Sequence, residues 1–127
     1  MANTISKIDR KSASLDFGTD KGATFRHRFT WKTGPIDAEV PVDLTGATAL
    51  MQIKSYSDGS TLIELSTENG RITLGGINGT IDLFIADNDT ALFDWTKGYY
   101  DLDITLLSSD VRKLLRGVFI SHDEITK

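Results

Sequence analysis

With 127 residues, the chain has the length of one ordinary domain and can bury a core without covalent staples. It has no cysteine, which removes disulfides, thiolate metal sites and thiol nucleophiles, and a content of 39% hydrophobic and 25% charged residues excludes a disordered chain. A net charge of −4 argues against a free-standing nucleic-acid binder, and no apolar run approaches the length of a membrane span.

The elements follow in chain order. Residues 1–12 are polar and basic through Lys7, Arg10 and Lys11, and are expected to be a flexible arm with little structure of its own. They also lack the apolar core of a signal peptide, so synthesis in a cytoplasm is expected. Ala13, Leu15 and Phe17 alternate with polar residues and predict a first strand, followed by a turn over Gly18–Gly22. The next strand carries Phe25, His27, Phe29 and Trp31 on one face and Arg26, Arg28 and Thr30 on the other. Three aromatics at period two place the first face in the core.

Gly34-Pro35 breaks the chain before Val42 and Leu44. Ala47, Ala49, Met51 and Ile53 then form an inward row, and Asp58-Gly59 turns the chain back into a short strand over Leu62–Leu65. Asn69-Gly70 predicts another hairpin. Ile72 and Leu74, the glycine-rich turn Gly75–Gly79, and the inward row Ile81, Leu83 and Ile85 come next. Asp87–Trp95 is the one stretch that reads as a helical turn, with Asp87 or Asp89 as its cap and Leu92 or Phe93 plugging the end of the fold. Tyr100, Leu102, Ile104 and Leu106 alternate with Tyr99, Asp101, Asp103 and Thr105, a strongly specified strand because a slip by one residue would bury two aspartates. Ser108–Asp110 turns into a last strand over Val111–Ile120, whose register Leu114-Leu115 blurs.

Seven or eight strands with hairpin signals and no βαβ alternation predict an all-β, immunoglobulin-like two-sheet β-sandwich with one short helical turn, a small β-barrel being the runner-up. The expected organisation is a basic arm at 1–12, a sandwich domain at 13–122 and a polar tail at 123–127. Tyr100, after a helical crossover, occupies the place of a tyrosine corner.

No residue pattern points to catalysis. His27 reads as a polar residue among aromatics and His122 as a surface residue, with no nucleophile motif near either. Asp87, Asp89, Asp94, Asp101 and Asp103 are the densest hard-oxygen set, but the glycine and closing glutamate of a calcium loop are missing, so capping and solvation explain them. The spacing of Gly70, Gly75, Gly76 and Gly79 matches no phosphate loop. Arg26 and Arg28 flank aromatics but project to the opposite face, which defeats a nucleic-acid platform. Trp31 is expected in the core, and Trp95 either plugs the core or stands at an interface. No catalytic, cofactor-binding or metal residue is predicted.

The charge is uneven: residues 1–54 hold eight Lys/Arg and six Asp/Glu, residues 55–127 six and twelve, or +2 against −6. Head-to-tail stacking of identical copies would suit this, although a solvated surface accounts for it more simply.

Several stretches together carry a family resemblance. They are Gly22-Ala23-Thr24-Phe25-Arg26, Phe29-Thr30-Trp31, Val42-Asp43-Leu44-Thr45-Gly46-Ala47, Leu65-Ser66-Thr67-Glu68-Asn69-Gly70-Arg71-Ile72, Gly98-Tyr99-Tyr100-Asp101-Leu102 and Val111-Arg112-Lys113-Leu114-Leu115-Arg116-Gly117. The pattern resembles a group of small tailed-phage virion proteins similar to the N-terminal domain of phage baseplate upper proteins, over roughly residues 13–122. The resemblance implies a β-sandwich module of the neck, tail or baseplate, without catalytic residues or cofactors. Made in the host cytoplasm and resident in the virion, it would contact other virion proteins, in a homo-oligomeric ring, and neither nucleic acid nor membrane. Its longer basic arm departs from the pattern, and the lack of a fibre domain after Lys127 speaks against host recognition. Ile5, Lys7, Ile8, Arg10 and Lys11 of the arm, and Trp95, are the expected interface residues. A carbohydrate- or receptor-binding sandwich using Trp95 and Tyr99 is the alternative, and a small metal-dependent hydrolase is a third reading for which no motif exists.

Overall fold

The computed structural model describes residues 2–6 and 13–123. Eleven strands lie among them: β1 (Ala2–Ser6), β2 (Ala13–Ser14), β3 (Phe17–Asp20), β4 (Phe25–Thr33), β5 (Val40–Pro41), β6 (Thr48–Ser55), β7 (Thr61–Ser66), β8 (Ile72–Leu74), β9 (Thr80–Ile85), β10 (Lys97–Thr105) and β11 (Val111–His122). One helical turn, α1 (Asp87–Thr90), joins β9 to β10. A five-stranded sheet has the order β1-β4-β9-β8, with β5 also on β4. A six-stranded sheet has the order β2-β11-β10-β6-β7, with β3 also on β11. The expected sandwich is present, with the strand neighbours of an immunoglobulin-like fold. Three pairings depart from its antiparallel rule: β1 runs parallel to β4, and β2 and β3 each run parallel to β11.

The period-two rows close the core as the sequence predicts. Phe29, Met51, Ile53, Ile81, Ile85, Leu102 and Ile104 are all fully buried between the sheets. Each large side chain buried in this way contributes roughly 1.5–3 kcal/mol of transfer free energy. Leu114-Leu115 is resolved by a β-bulge. Leu102 pairs with Leu115 and Asp103 with Lys113, leaving Leu114 as the extra residue. The bulge re-aims the strand so that both leucines are buried, whereas regular pleating would expose one.

Two sequence expectations are corrected, one open choice is decided, and a strand lies within the expected arm. The Asn69-Gly70 turn makes no hairpin, because β7 and β8 belong to different sheets. The Asn69 side chain replaces the missing ladder: its oxygen accepts from the Ser66 and Arg71 amides at 3.0 Å each, and its nitrogen donates to the Glu64 carbonyl at 3.0 Å. Arg71 adds a bond to the same carbonyl at 2.9 Å and a salt bridge to Asp89 at 3.1 Å. Neither Asp87 nor Asp89 caps α1. Ala86 holds the N-cap position without a side-chain bond, and the Asp87 carboxylate accepts from the Asn88 amide instead. Of the two candidate plugs, Leu92 is 81% exposed and Phe93 9%, so Phe93 closes the end of the sandwich. At the other end of the chain, residues read as an unstructured arm include β1, whose backbone runs in register from Ala2 opposite Arg28 to Ser6 opposite Lys32.

The first predicted strand is also interrupted. β2 ends at Ser14, the chain arches over Gly117 at Leu15–Asp16, and β3 resumes at Phe17 on the same edge of β11, so that Gly18 lies in a strand rather than in a turn. The Leu15 amide donates to the Arg116 carbonyl at 3.0 Å, and the Asp16 carboxylate accepts from the Val118 amide at 2.9 Å. Tyr100 donates its hydroxyl to the Leu15 carbonyl at 2.6 Å. A tyrosine corner would bond locally upstream; here the hydroxyl fastens the beginning of the chain. Burial, reinforced by the charge of Asp16, pushes the phenol pKa up and keeps it a donor. At Gly117 an added Cβ would lie 2.1 Å from the Leu15 oxygen, so the crossing requires glycine for space.

Tyr100→Phe is expected to cost about 1–2 kcal/mol in urea unfolding by leaving the Leu15 carbonyl unsatisfied. Gly117→Ala should cost more, because it displaces the crossing itself. Equal effects, or no effect of Gly117→Ala, would contradict this account.

Candidate interaction surfaces

One cluster of buried apolar side chains packs between the sheets, and the clefts described below lie on the surface. Among the described residues no group of three or more His, Cys, Asp or Glu side chains is placed to hold a metal ion. The aspartates that looked like loose calcium ligands are engaged separately: Asp89 with Arg71, and Asp103 with Lys113 at 3.3 Å.

His27 sits at the open side of the sandwich, where β3 and β4 approach. Its ring centroid is 5.1 Å from Phe17 and 4.8 Å from Phe29. Phe17 in turn touches Phe25, Phe29, Tyr100 and Phe119 at 5.3–6.2 Å. Burial in this cluster lowers the His27 pKa, because the apolar rings disfavour the charged imidazolium. His27 is thus a core-margin histidine, as its place in an aromatic row implied.

Of the expected interface residues, Lys7, Ile8, Arg10 and Lys11 lie outside the described residues. Ile5 is opposite Trp31 in the β1–β4 register. Trp95 is half-buried: it stacks on Phe93 at 4.6 Å and meets the edge of Phe119 at 6.0 Å. Trp95 and β1 are therefore not brought together by any pairing in the fold.

Three surface features were not assembled from sequence, although Tyr99, Arg26 and Arg28 were each noted there. The first is an aromatic pair, Tyr56 and Tyr99, 55% and 38% exposed, with ring centroids 5.2 Å apart and the Lys97 ammonium 5.4 Å from the Tyr56 ring. Residues 56 and 99 come together only because β6 pairs with β10. The second is a cleft of about 460 Å³ on the outer face of the five-stranded sheet, lined by Arg26, Arg28, Thr73, Asp82 and Phe84. Arg28 and Asp82 form a two-pronged ion pair, its second bond 2.9 Å long, and the Arg26 guanidinium lies 4.6 Å over the Phe84 ring. The third is a cleft of about 510 Å³ on the outer face of the six-stranded sheet, where Leu50 and Val111 lie among Glu64, Glu68 and Asp103. The alternation of Arg26 and Arg28 with aromatics signalled the second feature; the third required knowing that β7 and β11 flank the pair β6–β10.

Strand edges are the remaining open surface. β7 ends the six-stranded sheet and β8 the five-stranded one, and each leaves one row of backbone groups without a neighbouring strand.

The solved N-terminal domain of phage TP901-1 ORF48 is similar in fold. The match has a TM-score of 0.54, covers 95% of this chain and 98% of that one, and has 10% sequence identity. At that identity the likeness is one of fold. No protein-family model and no curated protein matches the chain.

Because folded His27 resists protonation and the unfolded residue, near pKa 6.5, does not, stability should be complete above that value and fall as pH drops through it toward the lowered folded pKa. His27→Leu should flatten the difference in stability between about pH 7.5 and 5.5. Thermal melts of both proteins across this range test the assignment; parallel pH profiles would refute it.

Proposed function

We propose that the chain is a non-enzymatic structural subunit of a tailed-phage particle, in its neck, tail or baseplate. The single observation that carries this reading is the end-to-end match in fold to the N-terminal domain of phage TP901-1 ORF48, which spans nearly the whole of both chains. The resemblance read from the sequence points to the same class of protein. In this reading the protein joins other virion proteins through its sheet edges and its N-terminal segment, in a ring around the particle axis. The edges of β7 and β8 offer backbone donors and acceptors to an added strand. In this reading Ile5, Lys7, Ile8, Arg10 and Lys11 belong to one contact with a neighbouring protein, and Trp95 to a second.

A carbohydrate-binding module is the second reading, favoured by the exposed Tyr56–Tyr99 pair, since exposed aromatic faces stack on sugar rings. A glycan array on which the chain binds, and Tyr56→Ala does not, would favour it over the structural role; silence across a broad array would remove it.

Electron cryo-microscopy of purified particles of the source phage should show ordered copies of this chain on the neck, tail or baseplate. Intact particles without such density would refute the virion role. Removal of residues 1–11 should abolish incorporation while leaving the core rows intact; normal incorporation of the shortened chain would exclude the segment as a contact.

A further inference from the structure

The two clefts on the outer faces differ in chemistry, and they point away from each other because they belong to opposite sheets. On the five-stranded sheet, Arg26 and Arg28 stand against one carboxylate, Asp82, which Arg28 already occupies. Arg26 has its guanidinium stacked on Phe84, and no hydrogen bond or ion pair neutralises it among the described residues. A stacked guanidinium keeps its in-plane donors available for a carboxylate.

On the six-stranded sheet the balance is reversed. Glu64 accepts from the Gln52 amide at 3.1 Å and Glu68 from the Thr67 hydroxyl at 3.1 Å, so neither faces a cation among the described residues. One oxygen of Asp103 takes Lys113, and the other has no hydrogen-bond partner. Between these acids lie Leu50, 39% exposed, and Val111, 55% exposed. Apolar side chains ringed by carboxylates, of which Glu64 and Glu68 meet no cation among the described residues, make a surface that favours an apolar partner edged with arginine.

We propose that this chain associates head to tail with a second copy of itself, the Arg26–Phe84 face of one copy seating on the Leu50–Val111 cleft of the next. Arg26 then meets Glu64 and Glu68, and Phe84 covers the two aliphatic side chains. Because the surfaces lie on opposite sides of one sandwich, the contact is heterologous: repeated, it closes into a ring or continues as a filament. The inference supplies an interface for the ring described above and rests on that reading for its biological setting.

Sedimentation velocity of the full chain over a concentration series tests it. Association should weaken several-fold between about 20 and 200 mM salt, as screening shortens the reach of the exposed charges. Arg26→Glu should weaken it by about tenfold or more, and Glu64→Arg likewise; mixing the two variants should restore association between unlike chains to within about threefold of the parent. A monomer at every concentration and salt overturns the proposal, as does association that ignores Arg26→Glu. The virion role is read separately: a strictly monomeric chain found ordered in particles removes this interface and leaves that role standing, and a self-associating chain absent from particles does the reverse.

Discussion

The amino-terminal third of the protein depends on one close crossing, the passage of Leu15–Asp16 over Gly117. A side chain at residue 117 would occupy the space of the Leu15 carbonyl. With glycine there, the chain passes from β2 to β3 along the one partner strand β11, and the Tyr100 hydroxyl and the Val118 amide satisfy the Leu15 carbonyl and the Asp16 carboxylate at the interruption. The crossing delivers Phe17 to the open side of the sandwich, where five rings surround it. Without Phe17 the ends of β4 and β11 would face solvent with Phe25 and Phe119 exposed. A polar bond of modest net worth and a missing methyl group thus control a much larger apolar burial.

The remainder of the core is a matter of register. Period-two rows on β4, β6, β9 and β10 bury their aliphatic and aromatic sides, and the aspartates of β10 forbid a slip. The bulge at Leu114 extends the same logic: one additional residue in β11 converts a local conflict of pattern into two buried leucines. At the sandwich ends, Phe93 and the buried Thr90 hydroxyl hold the crossover, Thr90 donating to the Ala23 carbonyl at 2.7 Å and accepting from the Gly22 amide at 3.1 Å. These contacts join α1 to the turn that precedes β4.

With apolar side chains packed between the sheets, the open chemistry of the protein lies on its surface. The outer faces of the two sheets are chemically unlike, one carrying arginines over an aromatic ring and the other carboxylates around aliphatic side chains. The edges β7 and β8 add unpaired backbone. A small sandwich equipped in this way presents two chemically different surfaces on opposite sides.

The amino-acid sequence by itself determined the all-β class, the inward rows and most of the turns, because side-chain alternation and glycine chemistry are local properties. His27 among its aromatics and the strand of Tyr100 were legible for the same reason. Tertiary structure alone decided that Asn69-Gly70 carries the chain between sheets, since whether a turn is a hairpin depends on which strands pair beyond it. It also decided that Tyr100 bonds to Leu15, eighty-five positions away, and that Tyr56 lies beside Tyr99. The candidate surfaces belong with these: β6, β7, β10 and β11 bring Leu50, Glu64, Asp103 and Val111 together, and no spacing along the chain records that meeting.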